Sequence, residues 1–170
     1  MSELEMFRRQ KDEYFRTSPD SPIPDDQRAS FAGLRYYPEK PALRLRLALD
    51  EFPDKEPIRM ITSTGDVQNY LRWGQIHFEV DGRPATLTVY DASWGGHFVP
   101  FVDATSGAET YGAGRYLELE EQDDGSFLVD FNLAYNPYCA YSEDYSCPIP
   151  PAENRIDVPI RAGELLYEGH

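Results

Sequence analysis

The chain has 170 residues, of which 41% are hydrophobic and 14% are aromatic, which is enough for the core of one domain. Its formal net charge of −14 argues against nucleic acid and anionic membranes as partners, because both are bound through clustered Lys and Arg. No run of about 18 apolar residues and no apolar leader segment is present, so we expect a cytoplasmic protein without a membrane span.

The basic residues are unevenly divided between the two types. Lys11, Lys40 and Lys55 are the lysines of the chain, and all other basic residues are arginine. An excess of acid with Arg in place of Lys keeps a protein soluble in concentrated salt, because net charge opposes association. The composition is compatible with a halophilic source and equally with an ordinary acidic bacterial protein.

The first 16 residues predict a short amphipathic helix. Apolar residues recur at roughly helical spacing between Leu4 and Phe15. Ser2 followed three residues later by Glu5 is the pattern of a capping box, in which each side chain bonds the other's backbone. We expect this helix to lie across the rest of the fold as a lid.

Residues 17–30 predict an extended linker. Pro19, Pro22 and Pro24 follow one another closely there, and proline interrupts both helices and central strands. The sequence thus predicts a single domain over residues 1–170, in which the helix (1–16) and the linker (17–30) precede a β domain (31–170).

From residue 31 onward the hydrophobic period changes to two, the period of a β-strand. The clearest strand follows Leu43, where every second residue up to Leu49 is leucine. Asp81-Gly82 predicts a two-residue hairpin, because a type I′ turn needs a positive φ at both central residues. A second hairpin is predicted around residues 122–125.

About nine short strands are predicted. They cover residues 34–37, 43–49, 58–63, 67–73, 76–80, 85–90, 97–101, 114–120 and 126–132, with a last extended segment at 155–160. Residues 52–57 are predicted to form a turn and residues 93–96 a loop. Closely spaced strands without crossover helices indicate antiparallel pairing. The expected fold class is mostly β, an antiparallel barrel-like meander or sandwich with one N-terminal helix.

Several stretches of the sequence resemble a known family. They read FAGLRYYP near the start, PFVDATSGAETYGAGRY and DFNLAYNPYCAYS in the middle, and CPIPPAEN and AGE near the end. These stretches resemble the DUF1684 family of bacterial and archaeal proteins, which has no established biochemical function, and the resemblance covers nearly the whole chain. Because the family has no assigned catalytic residues, the resemblance implies no activity, cofactor or site residue.

Gly, Asn, Pro, Tyr and Cys are concentrated between residues 101 and 154 beyond what turns require. Our leading hypothesis is a small-ligand pocket built from segments 101–115 and 130–154. Its predicted ligand-binding residues are polar or aromatic, namely Asp103, Glu109, Tyr111, Arg115, Asn132, Tyr135, Asn136, Tyr141 and Asn154. The alternative is that the acids and amides close loops by bonding their backbone, with Arg115 paired to Glu109.

Two other classes of function stay open at this point. An enzyme would use Glu109, Asp130 or His97 as acid–base groups, since these types exchange protons near neutral pH when their surroundings are arranged for it. A structural or interaction protein would have no small-molecule site and would present an ordered loop to a partner. The sequence identifies no cofactor and no protein partner.

Cys139 and Cys147 are the two cysteines of the chain. Their spacing does not match the short C-x₂-C knuckle of zinc sites, so they are weak metal candidates that need ligands from elsewhere. A disulfide, two reduced structural thiols, and a nucleophilic cysteine are the alternatives.

Overall fold

A computed structural model describes residues 1–92 and 95–168 of the chain. Helix α1 (Glu3–Thr17) and the helical turn α2 (Asp25–Arg28) precede the strands. The strands are β1 (Arg44–Leu47), β2 (Asp50–Ile61), β3 (Val67–Val80), β4 (Arg83–Ala92), β5 (His97–Phe101), β6 (Arg115–Glu121) and β7 (Phe127–Asp130). All neighbouring strands pair antiparallel, so the mostly β class with an N-terminal helix is confirmed.

The strands form one open sheet in the order β1-β7-β6-β5-β4-β3-β2, and the predicted barrel is not closed. Because each neighbour is antiparallel, the edge strands β1 and β2 are six steps apart and run in the same direction. A parallel pair needs a crossover of a dozen or more residues. Only Ala48 and Leu49 connect β1 to β2, so these two strands cannot pair side by side. A second sheet, as in a sandwich, is likewise not found in the described part of the chain.

The short connection also shapes the sheet. Leu47 ends β1 at one edge and Asp50 starts β2 at the other edge. Three Cα–Cα steps of about 3.8 Å keep these two residues within about 11 Å of each other. The two edges therefore approach each other at this point, and the sheet is strongly curved although it is open.

The hairpin predicted at Asp81-Gly82 is confirmed. These residues have φ values of 51° and 79° and join β3 to β4, as a type I′ turn requires. The strand predicted at 97–101 is β5 with the same bounds. Two predicted strands, 67–73 and 76–80, are one strand β3, which continues through a register shift between Arg72 and Gly74.

Other local predictions differ from the structure. The turn predicted at 52–57 lies inside β2, which is an edge strand and therefore tolerates Pro53 and Pro57. Residues 34–37 and 155–160 contribute isolated bridges at Tyr36 and Arg155 instead of strands. The predicted linker contains the helical turn α2, and the loop predicted at 93–96 lies partly outside the described residues.

Each face of the sheet carries a cluster of buried hydrophobic side chains. The main core alternates along the strands and includes Ile76, Phe78, Leu87, Val89, Val99, Phe101, Leu117, Leu119, Phe127 and Val129. On the opposite face, Tyr90, Phe98 and Tyr116 pack with Cys147 of the loop that follows β7. The loop at 131–154 therefore packs on the second face of the sheet, and we call it the covering loop.

Helix α1 packs on this loop. Its Ser2 cap is confirmed, because the Ser2 hydroxyl accepts the backbone N–H of Glu5 at 3.1 Å. Phe15 is buried against Tyr141 and Tyr138 with ring centroids 5.3 and 6.0 Å apart. No helix in residues 1–92 and 95–168 is long and apolar enough to cross a membrane.

Candidate functional site

Segment 101–115 is held by a buried ionic network. Arg115 has no exposed surface, and its guanidinium donates to the carbonyls of Ala162 at 2.5 Å and Ile160 at 2.8 Å. Its Nη2 lies 3.5 Å from a carboxylate oxygen of Asp103. That carboxylate also accepts the hydroxyl of Thr105 at 2.8 Å and the backbone N–H of Ile160 at 2.6 Å. Arg115 and Asp103 thus attach the C-terminal segment to this loop.

Glu109 does not pair with Arg115, contrary to the alternative considered from the sequence. The guanidinium of Arg115 points into the core, whereas Glu109 lies near the surface, 3.2 Å from Arg161. The hydroxyl of Tyr37 donates to Glu109 at 2.8 Å. These hydrogen bonds, first that from Arg161 and then that from Tyr37, hold the pKa of Glu109 below its usual value.

The side chain of Asn154 is fully buried and hydrogen-bonds to the backbone of two strands. Its Oδ1 accepts the N–H of Thr88 at 2.8 Å, and its Nδ2 donates to the carbonyl of Pro100 at 2.8 Å. The side chain thereby joins the end of the covering loop to β4 and β5.

Asn132 has a similar role at the other end of the loop. Its Oδ1 accepts the N–H of Lys40 at 2.8 Å and its Nδ2 donates back to the Lys40 carbonyl at 3.0 Å. Asp130 accepts the backbone N–H of Asn132 at 3.0 Å and lies 3.6 Å from Arg44. Both residues have backbone or ionic partners of the chain itself.

A carboxylate that the sequence did not identify, Glu164, joins α1 to the covering loop. Only 2% of Glu164 is exposed. It accepts the backbone N–H of Asn136 at 3.0 Å and the hydroxyl of Tyr141 at 2.8 Å, and it forms an ion pair with Lys11 of α1. Asn136 and Tyr141, both predicted site residues, are therefore engaged in positioning α1.

A cavity of about 500 Å³ lies between α1 and the sheet. It is lined by Phe7, Gln10, Lys11, Tyr14, Phe15, Glu118, Tyr135 and Tyr138. The Lys11 ammonium sits over the rings of Tyr135 and Phe15, 5.0 and 5.5 Å from their centroids. Of the residues predicted to bind a ligand, the cavity contains Tyr135.

Glu118 provides the acidic group of this cavity. It accepts the hydroxyl of Tyr135 and stays accessible from the cavity side. Burial among the neighbouring side chains raises the pKa of Glu118, and the hydrogen bond from Tyr135 partly opposes that rise. Glu118 was not singled out from the sequence, where it reads as an ordinary outward-facing position of β6.

The raised pKa of Glu118 predicts a pH effect on stability. The folded chain holds the Glu118 proton more tightly than the unfolded chain does, so this contribution is present at low pH and is lost as the pH rises through the folded-state value. The difference in free energy of unfolding between wild type and Glu118→Gln should fall as the pH goes from about 4 to about 7 in urea titrations. Glu120→Gln, two residues further along the same strand and outside the cavity lining, serves as the control. If the difference in free energy of unfolding between wild type and Glu118→Gln does not change with pH, the prediction is wrong.

A second cavity of about 560 Å³ lies near the N-terminus of α1. Six of its ten lining residues are polar or charged; the lining consists of Ser2, Glu3, Leu4, Phe7, Glu39, Arg44, Leu128, Asp130, Asn132 and Leu133. It contains two of the predicted residues, Asp130 and Asn132. No residue of segment 101–115 lines either of these two cavities.

The predicted acid–base residues contact different partners. His97 lies opposite Asp91 in the β4–β5 pair, with its Nδ1 2.5 Å from the Asp91 carboxylate, and its ring packs 5.1 Å from that of Phe127. Glu109 pairs with Arg161 and Asp130 with Arg44, as described above. Within residues 1–92 and 95–168, no group of three His, Cys, Asp or Glu side chains that could hold a metal ion is found.

Cys139 and Cys147 meet inside the covering loop with both thiols free. The backbone N–H of Cys139 lies 3.3 Å from the Cys147 sulfur, and the hydroxyl of Tyr111 lies 3.6 Å from the Cys139 sulfur. The disulfide alternative is therefore not present in this structure. Tyr111, predicted as a ligand-binding residue, instead contacts a thiol.

Two comparisons relate the chain to known proteins. A family model described as a protein of unknown function (DUF1684) matches residues 29–165. A solution NMR structure of an uncharacterized protein of Haloarcula marismortui is 36% identical with a TM-score of 0.73, and the match covers 98% of this chain and 94% of that one. No curated protein matches the chain.

Proposed function

Because the chain belongs to the DUF1684 family, for which no function is assigned, we propose from the geometry of the site that it binds a flat, largely apolar small molecule between α1 and the sheet. The aromatic lining of the cavity is the observation that carries this proposal. Five of its eight lining residues are Phe or Tyr. A volume of about 500 Å³ lies within the range of small-molecule sites, and aromatic walls favour a ring that stacks on them.

The polar groups of the cavity indicate which functional group the ligand carries. Lys11 uses its ammonium on Glu164, while Glu118 has an acceptor oxygen beyond the one bonded to Tyr135. A carboxylate of this kind recognises an amine or hydroxyl donor. The net charge of −14 draws cations toward the protein and repels anions. We therefore propose an aromatic ligand that carries an amine or a hydroxyl group.

Net charge also bears on location and other partners. It supports a protein without nucleic-acid or anionic-membrane partners, because such surfaces repel an acidic chain. It supports a cytoplasmic protein of a halophilic cell, because salt shortens the range over which the excess of acidic groups repel one another. These two parts of the proposal rest on composition.

A binding experiment with two matched probes tests the proposed site. Tryptamine, a cationic aromatic amine, should give saturable shifts of backbone amide NMR signals of residues around Glu118 and Tyr135, and indole-3-acetate should bind more weakly. Removing one aromatic side chain from the lining should weaken tryptamine binding about tenfold, which corresponds to about 1.4 kcal/mol of binding free energy. Tyr14→Ala is the suitable change, since Tyr14 lines the cavity and is 44% exposed.

Met6→Ala is the matched control for Tyr14→Ala. Met6 lies on the same helix, is 49% exposed and does not line the cavity, so its replacement should leave tryptamine affinity unchanged. Equal effects of the two changes, or no saturable binding of tryptamine by the wild type, would rule out the cavity as the proposed site.

A further inference from the structure

The covering loop brings Cys139 and Cys147 together against the turn that joins β2 to β3. The backbone N–H of Cys147 donates to the Ser63 hydroxyl at 3.1 Å, and the N–H of Ser63 donates to the Cys147 carbonyl at 2.9 Å. Ser146 adds hydrogen bonds to Thr62 at 2.6 Å and to Thr64 at 2.7 Å. Cys147 is thus fixed in place by its backbone and by its neighbour.

The Cys139 sulfur lies among hydrogen-bond donors. Interaction with the neighbouring Cys147 thiol, and then with the Tyr111 hydroxyl 3.6 Å away, lowers the pKa of Cys139 to about 6, although burial acts in the opposite direction. The adjacent Cys139 raises the pKa of Cys147, and so does burial. Tyr111 and Tyr116 are titratable groups that interact with the two sulfurs, and burial raises the pKa of both tyrosines.

The two thiols differ in access. Cys147 is 7% exposed, whereas Cys139 is only partly buried. A thiolate is the reactive form of cysteine, and it reacts with an outside molecule only where it can be reached. Cys139 therefore has the properties of an attacking thiol and Cys147 those of a second thiol that reacts afterwards.

We propose that Cys139 and Cys147 form a redox-active dithiol that is oxidised by hydroperoxides, with Cys139 attacking the peroxide and Cys147 closing the disulfide. The thiolate of Cys139 attacks one peroxide oxygen, the S–O bond forms, the O–O bond breaks, and the departing oxygen takes a proton from solvent and leaves as alcohol or water. The Cys147 sulfur then attacks the sulfenic acid, the S–S bond forms, and water leaves with the Cys147 proton. One peroxide is reduced by two electrons and one dithiol is oxidised by two.

The geometry fits the second step. A disulfide requires the sulfurs to approach to about 2.05 Å. The Cys147 sulfur lies 3.3 Å from the backbone nitrogen of Cys139, so the two cysteines are already in contact. The loop between them is anchored at Tyr141 by Glu164 and at Ser146 by the β2–β3 turn, so the closure requires movement of side chains more than of the fold.

Peroxide titration followed by intact-mass measurement tests this inference. The reduced chain should lose two hydrogens with one equivalent of hydrogen peroxide and then take up no iodoacetamide. Cys147→Ser should instead hold a sulfenic acid at Cys139 that dimedone labels, because the closing thiol is missing. Cys139→Ser should react with hydrogen peroxide at least tenfold more slowly than the wild type. The remaining thiol in this variant is that of Cys147, which is buried and has a raised pKa.

The reactivity of Cys139 also gives a readout that a merely structural thiol would not give. The rate at which iodoacetamide alkylates Cys139 should be measured against pH in wild type and in Cys147→Ala. The midpoint of this pH dependence should lie near pH 6 in wild type and higher in the variant, because the Cys147 thiol helps to lower the pKa of Cys139. Tyr111→Phe should raise the midpoint as well. Wild type that still accepts two iodoacetamide groups after peroxide, or equal peroxide rates for wild type and Cys139→Ser, would overturn the inference.

Discussion

Replacing Arg115 by methionine is expected to lower the free energy of unfolding by about 3–5 kcal/mol. Arg115 has no exposed surface and compensates the buried carboxylate of Asp103, 3.5 Å away. It also donates to the carbonyls of Ala162 and Ile160, which lose these donors in the variant. Methionine keeps the unbranched shape but leaves a buried charge without a partner. Urea denaturation followed by circular dichroism measures the loss.

Arg161→Met is the matched control for Arg115→Met. Arg161 also pairs with a carboxylate, that of Glu109, but its side chain is 51% exposed and the pair is screened by solvent, so we expect a much smaller loss than for Arg115→Met. Adding Asp103→Asn to Arg115→Met should cost less than the sum of the two single changes, because the charge left unpaired is removed. Equal losses for the Arg115 and Arg161 variants would contradict the proposed role of the buried network.

Gly163→Ala is expected to cost about 2–5 kcal/mol of stability. Gly163 has a φ of 84°, and an added Cβ would lie 2.6 Å from the carbonyl oxygen of Ala134 and 2.9 Å from that of Phe131. The left-handed conformation costs an L-residue about 1–2 kcal/mol, and forcing backbone apart in a packed region adds about 1–3 kcal/mol. The same denaturation measurement applies.

Gly65→Ala separates the two parts of that cost. Gly65 has a φ of 89° and nothing within 4 Å of an added Cβ, so only the conformational part of about 1–2 kcal/mol should appear. If Gly65→Ala and Gly163→Ala cost the same, the close approach of residues 131–134 to Gly163 would not contribute, and the packing described for the C-terminal segment would be wrong.

Local features of the fold were predictable from the sequence. The hairpin at Asp81-Gly82 and the strand β5 depend on turn chemistry and on alternation within a few residues, and both are found where expected. Closure of the sheet depends on the direction in which its edge strands run. The hydrophobic period carries no information on that direction. The alternation of leucines continues through Ala48 and Leu49, so the pattern predicts one strand where the structure has the connection between β1 and β2.

The residues of the candidate site were harder to predict for a related reason. Asp103, Arg115 and Asn154 are the residue types that bind ligands, but the same groups also bind backbone amides and carbonyls, and only the folded chain shows which of these they do. No sequence pattern around Lys11 or Glu118 indicates a binding site. They come together with the covering loop only through tertiary packing.

The pairing of Lys11 with Glu164 has a consequence for the order in which the chain folds. These residues are 153 positions apart, so a growing chain makes the helix long before it makes the carboxylate that holds the helix. Until Glu164 is available, Lys11 has no buried carboxylate to pair with, and α1 lacks this attachment to the rest of the chain. The position of α1, whose residues form one wall of the cavity, is therefore fixed only after Glu164 has been made, and ligand binding in the cavity would report that α1 has docked.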